Sequence, residues 1–443
     1  MVTRRRLVVA LQVACLVVIA LALFSPFYRN RNSNGFLRPN LFQHFDISNP
    51  EVPPGGKPNV HLRPQSCADL EVAAYLSRGN VTAYVRSILD PEDKHLPRLE
   101  CPRPDLSRYK YLQGASSPTR TRYFFALNLR ECLPLLPRLL GSVLEAILFL
   151  GPENCALSIV EGNSYDGTPE VLAALLEQLP AFAPVTSHFV LNEQTDPLSE
   201  SRFTKLADLR NMALAPMFLQ PERYSESTVV FINDVAICLE DILELVHQKR
   251  VQGADMACAF DWIGGGSEEG DQPVFYDSYI ARGINGDLFF DVPLPSLSWD
   301  RATDLFWNDP VTKARFEAHK PFQVFACWNG ATAFTAAPLV NGLVTFRSSR
   351  TDKGECHQGE PELFCKDMWF NGYGKIMVVP SINLEYTNEK GKYIKELKGY
   401  TSQWVYKNIE EDRIQEWLPP PEKVKCMPTF NDQTWRPWNE TLP

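Results

Sequence analysis

The fold is decided by residues 226–245, ESTVVFINDVAICLEDILEL. Val229 to Ile232 is a short, β-branched apolar run, the pattern of a strand buried on both faces. It stops at Asn233-Asp234-Val235, and a helical pattern follows with Asp241 and Glu244 on its polar side. A buried strand ending in an acid and leading into a helix is one step of an open α/β sheet. Ligands of such sheets gather beyond the carboxyl ends of the strands. Asp234 stands at such an end, and its carboxylate suits a hard divalent cation. Any strand that ends at a polar turn shares this local pattern, so Asp234 gains meaning only from its neighbours.

Working outward, the same alternation recurs. Tyr123 to Leu129 reads as a strand and Leu133 to Leu150 as a helix, with Pro134 and Pro137 early, where proline is tolerated. Ala156 to Val160 is a second strand. Thr168 to Leu179 is a second helix, capped by Thr168 and entered through Pro169. His188 to Leu191 supplies a third strand and residues 199–215 a third helix. The alternation predicts an α/β fold with a mainly parallel sheet covered on both faces. Glu161 and Asp234 then occupy equivalent places at strand carboxyl ends.

The chain has 443 residues, room for one large or two ordinary domains, and 26 Phe for its core. A net charge of −9 gives no sign of a nucleic-acid surface. Arg4, Arg5 and Arg6 precede an apolar run, Leu7 to Phe24, broken only by Gln12. Its length is near the minimum for a spanning helix, and the basic flank predicts a cytosolic N-terminus. A cleaved signal peptide, with Ala20-Leu21-Ala22 as its cleavage site, is the alternative. The expected organisation is a cytosolic tail (1–6), a transmembrane signal-anchor (7–24) and a flexible stem (25–65). A helical pre-domain segment (66–118), split into two helices at Gly79-Asn80, leads to the main domain (119–420) and an irregular C-terminal tail (421–443).

A lumenal placement agrees with sequons at Asn80 and Asn439 and with eleven cysteines, ten of them outside the anchor. Cys356 with Cys365 is the expected local disulfide, and Cys67 with Cys101 a second.

Five clusters carry chemistry. IVEGNSYDGT (159–168) presents Glu161, Asn163 and Asp166 in a βα turn, able to accept bonds from a base or ribose, or simply to cap the helix. SESRFTKLADLRNMALAP (199–216) offers Arg202 and Arg210 as clamps for a diphosphate. Asp234 is the third. Residues 259–289 bring together Asp261, Trp262, Tyr276, Asp277 and Asp287. Aromatics beside acids suit a sugar's apolar face and hydroxyl rim. CWNGATAF places Trp328 and Asn329 in a turn facing an acceptor, and Asp367 lies in the following acidic stretch.

The ordered blocks VEGNSYDGT, LRNMAL, VVFINDVAICLEDILELV, ACAFDW, FYDSYIARGINGDLF, CWNGA and GYGKIMVVPSINLEY run from about Tyr123 to Tyr386. Together they resemble the fungal capsule-associated α-1,3-mannosyltransferases, the cryptococcal mannosyltransferase family. The resemblance implies a GT-A-like, Rossmann-type nucleotide-sugar transferase domain behind an N-terminal transmembrane helix and stem, in a Golgi or other secretory-pathway membrane as a single-pass type II protein. It also implies GDP-mannose as donor, a mannose-containing glycan as acceptor, a divalent cation, Mn2+ above others, and retention of configuration. Glu161, Asn163, Asp166 and Arg210 would then bind donor and Asp234 the metal. Asp277, Asp287 and Asp367 are the candidate catalytic carboxylates. GT-A enzymes usually carry Asp-x-Asp at the metal; here the string is Asn233-Asp234-Val235, a variant the resemblance implies is typical of the capsule-associated family, which leaves Glu240 or Asp241 as alternative ligands. Another nucleotide sugar such as UDP-xylose, a non-catalytic glycan-binding protein of the Golgi, and a two-carboxylate hydrolase are the competing readings.

Overall fold

The computed structural model describes residues 76–443, apart from 116, 118, 196–201, 265–271, 406–411 and 443. The expected cytosolic tail, anchor and stem, residues 66–75, and Cys67 therefore lie outside the described residues.

A mixed sheet forms the core. Its strands are β1 (Tyr123–Leu129), β2 (Cys155–Glu161), β3 (Thr186–Val190), β4 (Thr228–Ile232), β5 (Met256–Ile263), β6 (Val274–Phe275), β7 (Arg282–Gly283), β8 (Phe322–Ala326), β9 (Ala331–Thr335) and β10 (Ile376–Leu384). The order is β3-β2-β1-β4-β9-β5-β10-β8-β7, with β6 paired to β5. β1 to β4 are mutually parallel, as expected. Beyond them the expectation of a mainly parallel sheet fails. β9 runs antiparallel to both β4 and β5, and β8 antiparallel to β10. The strand–helix alternation ends at β5; of the later strands β10 joins in parallel, against β5, while β6, β7, β8 and β9 pair antiparallel.

The longer helices are α1 (Arg78–Leu89), α2 (Leu136–Leu150), α3 (Thr168–Phe182), α4 (Arg202–Leu219), α5 (Leu239–Val251), α6 (Glu360–Phe370) and α7 (Asn388–Lys398). Period-two alternation along β1 sends Phe125 and Leu127 to one face and Phe124 and Ala126 to the other. The first face packs an aliphatic core with α2, α3 and α5, including Leu139, Ile147, Leu172 and Ile242. The second packs an aromatic core with α4 and α6, including Phe231, Phe260, Phe289 and Phe364. Leu133–Leu150 is apolar and long enough to cross a membrane, but 78% of that stretch is buried in the molecule, so it is a core element here.

Local expectations shift in small ways. Gly79 and Asn80 do not separate two helices. They lie in the first turn of α1, where the Ser77 hydroxyl accepts the Asn80 amide at 3.3 Å. Gly167, at φ +99°, caps α3 in place of Thr168, which is already helical. Both sequon asparagines, Asn80 and Asn439, are exposed.

The largest departure is at the C-terminus. Instead of an irregular tail, β11 (Lys423–Thr429) and β12 (Asp432–Pro437) form a hairpin. Cys356 pairs with Cys426 on that hairpin, not with Cys365, which is a buried thiol beside Met256. Cys101 pairs with Cys238, not with Cys67, and Cys258 pairs with Cys327. Sequence proximity misled here because the folded sheet brings cysteines 69 to 137 residues apart into contact. By chain entropy, loops of that size are worth about 4–5 kcal/mol each.

Candidate active site

Two clusters of acids lie along the carboxyl rim of the sheet. At the β1–β3 end, Glu161 closes β2 and is fully buried. Its Oε1 accepts the Ser164 amide at 2.7 Å, and its Oε2 accepts the amides of Asn163 at 3.2 Å and Asn192 at 2.9 Å. Asp166 accepts the amides of Thr168 and Leu133, each at 2.9 Å. These acids build the turns. Asn163 sits at φ +55° and donates from Nδ2 to the Tyr165 hydroxyl at 3.4 Å. Glu131, at φ +49° after β1, accepts the Tyr165 amide at 2.9 Å, and its own amide donates to the Ser164 hydroxyl at 2.7 Å. Tyr165 is 52% exposed, and Glu131 is half-buried.

At the β4–β5–β10 end the acids are differently placed. Asp234 lies two residues past β4, half-buried. Burial pushes its carboxyl from 3.8 up to about 6, against the pull of Arg210. Asp277 is also pushed up to about 6 by burial, although it accepts the Asn329 amide at 2.8 Å and feels Arg210 and Arg282. Asp261, inside β5, is fully buried. The Tyr386 hydroxyl donates to its Oδ2 at 2.6 Å, while its Oδ1 has no partner among the described residues. Burial, with Asp277 adding repulsion, holds Asp261 well above the usual carboxylate range. Tyr276 ties the group together. Burial raises its hydroxyl, and Asp261, Asp277 and Asp234 all push it further in the same direction. Its ring meets that of Tyr386 edge-on at 4.8 Å.

One turn locks these strands. Asn329, at φ +55°, donates from Nδ2 to the Ala259 carbonyl at 2.9 Å, and the Asn233 amide donates to the Gly330 carbonyl at 2.9 Å. Gly330 has φ +80°, and a Cβ there would meet Asp261 Cβ and Val235 at 3.3 Å, so only glycine fits without displacement. Trp328 is buried and donates to Asn233 Oδ1 at 3.1 Å. Its ring lies 4.4 Å from the Arg210 guanidinium, whose Nε pairs with Glu360 at 2.8 Å. Arg210 is thus fixed by a carboxylate and an aromatic face.

Other expected site residues sit elsewhere. Trp262 alternates to the opposite face of β5 from Asp261, is buried, and donates to Asn383 at 2.8 Å. Asp287 pairs with Lys425 at 2.7 Å, and Asp367 with Arg347 at 2.6 and 2.8 Å, both in the frame around the C-terminal hairpin. Arg202 opens α4 and acts electrostatically on Tyr276.

Among the described residues, no three His, Cys, Asp or Glu side chains gather into a metal cage. Asp234 offers a carboxylate oxygen suited to a hard cation, and a cation held there would need further ligands such as a diphosphate and water to complete its shell. Asp241 is engaged instead in capping α5 through the Cys238 amide and in pairing with Lys395 at 2.6 Å. Glu240, pushed up to about 7 by burial, accepts from Tyr109 at 3.3 Å.

Over residues 122–367 the chain matches the family described as Cryptococcal mannosyltransferase 1. It is also 34% identical over 359 residues to the Alpha-1,3-mannosyltransferase CMT1 of Cryptococcus neoformans, covering 76% of this chain and 75% of that one. An open α/β sheet with this rim and these relatives defines a hexosyltransferase. The chain belongs to the cryptococcal mannosyltransferase family.

Similar solved structures include S. aureus TarS 1-349, at TM-score 0.32 and 14% identity over 66% of each chain. Another is the mannosyltransferase PcManGT of Pyrobaculum calidifontis in complex with GDP-Man and Mn2+, at TM-score 0.33 and 14% identity over 69% of this chain and 66% of that one. Likeness at this level says nothing about this chain's ligands. The three disulfides fit a protein of the secretory pathway.

Proposed function

We propose that the protein transfers mannose from GDP-mannose to the 3-hydroxyl of a mannose-containing glycan, with retention, giving an α-1,3 linkage. The observation that carries this is the family match over residues 122–367, a span that contains Arg210, Asp234, Asp261 and Asp277. The relative named as an α-1,3-mannosyltransferase supports the linkage.

In this reading the domain is GT-A-like, and the donor lies across the strand carboxyl ends. Its diphosphate points toward Asp234 and its nucleoside toward the β1–β3 turns. A divalent cation at Asp234, Mn2+ above others, would neutralise the departing diphosphate. Arg210, already held by Glu360 and the Trp328 ring, adds positive field without reorganising during the reaction. Asp277 is the carboxylate assigned to the sugar's anomeric centre, aimed by the Asn329 amide. Asp261 is a positioning residue that orients Tyr386 beside Tyr276, where the acceptor is placed. Asp287 and Asp367 keep their ion pairs throughout. Residues 7–24 anchor the protein as a type II Golgi protein with its catalytic domain in the lumen. The exposed sequons and three disulfides support that orientation.

The test incubates the full chain with GDP-mannose, Mn2+ and a mannose disaccharide, with and without chelator, and determines the product linkage. A chelator-sensitive α-1,3 product supports the proposal. Transfer from UDP-xylose alone, or hydrolysis without transfer, would overturn it.

A further inference from the structure

The two acids expected to meet the donor's nucleoside are largely committed to the fold. Glu161 accepts three main-chain amides and Asp166 two, one or more on each oxygen. A neighbouring acid with fewer such bonds is better placed to read the base. The sheet order points to where. From β1 the chain steps outward to β2 and β3, then returns to place β4 on the other side of β1. The direction of winding reverses between β1 and β4, and the crevice outside such a reversal is where open α/β sheets bind ligands. Two loops border it. One carries Asp234, two residues past β4. The other carries Glu131, two residues past β1.

We infer that Glu131 and Tyr165 form the base-recognition site for a guanine nucleoside diphosphate, with Glu131 as the residue that sets specificity. The inference rests on the donor reading above and deepens it. Glu131 is half-buried, and its Oε1 is fixed by the Tyr165 amide at 2.9 Å. An ionised carboxylate has about four lone-pair positions, so one held amide leaves acceptors for two further donors. Guanine presents two adjacent donors on its pairing edge, N1–H and the 2-amino group. Adenine presents one donor beside an acceptor, and uracil one donor between two carbonyls. A lone carboxylate therefore favours guanine over both. Tyr165 extends from the neighbouring turn after β2 with 52% of its surface exposed, and its hydroxyl accepts from Asn163. Its ring supplies a face on which any base can stack, without preference among bases.

The experiment titrates GDP, inosine diphosphate and UDP calorimetrically into the full-length protein in detergent. Inosine diphosphate lacks only the 2-amino group. Wild-type protein should bind GDP about ten- to a hundredfold more tightly than inosine diphosphate, as expected for loss of a hydrogen bond to a charged acceptor. Glu131→Gln keeps an acceptor for the Tyr165 amide but loses the charge. In it the GDP to inosine diphosphate ratio should collapse toward one. Tyr165→Ala should weaken all three ligands by a similar factor. Equal binding of GDP and inosine diphosphate by wild-type protein overturns the inference without any variant, whether or not Glu131→Gln folds. A folded Glu131→Gln that keeps the wild-type ratio overturns it equally. GDP selectivity lost in Glu131→Gln, in a protein that transfers no mannose, would count against the transfer reading and uphold this one.

Discussion

The two acidic clusters on the rim are built from the same residue types and behave in opposite ways. Around β2, Glu161 and Asp166 accept five main-chain amides and act as the scaffold of their turns. Around β4 and β5, burial raises Asp234, Asp261 and Asp277 above their ordinary range, and Asp261 Oδ1 accepts no hydrogen bond among the described residues. A saturated carboxylate has already spent its hydrogen bonds on the fold. An undersatisfied buried one stores an unfavourable term that a ligand can relieve, which is why perturbed acids cluster where chemistry occurs. In the proposed reading, Glu161 and Asp166 serve structure and the second cluster serves catalysis.

The largest effect should come from the second cluster. Asp234→Ala and Asp277→Asn should each lower kcat by about a thousandfold, the order seen when a positioned electrostatic group is removed from an active site. Both variants should melt no lower than wild type, because each removes a carboxyl that burial disfavours. Steady-state kinetics with a thermal melt checks both. Near-normal turnover in either would erase the contrast.

Glu161→Ala should do the reverse. It leaves the buried Ser164 amide without an acceptor, at about 1–3 kcal/mol, and frees the less buried amides of Asn163 and Asn192, so the melting temperature should drop. Turnover per folded molecule should stay within about tenfold of wild type, since the groups placed at the reacting centre are untouched. A stable Glu161→Ala protein with no activity would instead restore Glu161 as a donor-binding residue.

Much of this was legible in the sequence, and the remainder was not for physical reasons. β1 and β4 are continuous apolar runs and were read nearly to the residue. The second half of the sheet is less legible because β8 and β9 are short, β10 is interrupted, and their partners lie far off in sequence. Asp234, Asp277 and Arg210 were picked out by residue type. The Asp261–Tyr386 bond joins residues 125 apart and leaves no local trace. Glu131 did leave one, since it follows β1 at the same offset as Asp234 follows β4. Whether an acid is saturated by amides depends on turn geometry, and residue type alone does not reveal it.

A smaller effect belongs to Asp261. Asp261→Asn keeps the shape but alters the hydrogen bond with Tyr386. It should lower kcat by about tenfold, within the range of one net hydrogen bond to a charged group, with donor KM nearly unchanged. A large rise in donor KM would move Asp261 from positioning to donor binding.

The smallest and most discriminating effect is the response to pH. Asp277 titrates at about 6 in the folded protein against 3.8 in an unconstrained chain. Between those values the folded state holds its proton more tightly than the unfolded state. Stability from this group therefore falls as pH rises through the window, and the penalty is complete above about 6. Activity needs the ionised carboxylate and so moves the other way, declining as pH falls below about 6. Asp277→Asn should flatten the stability profile over that window and melt slightly higher than wild type at pH 7. Glu161 lies outside the reacting centre of the proposed reading, so Glu161→Gln should leave the acid limb of the activity profile where it was. Parallel melts and pH–rate profiles of the two variants decide whether the undersatisfied acids alone couple stability to catalysis. An acid limb that shifts in Glu161→Gln would place Glu161 within the reacting centre.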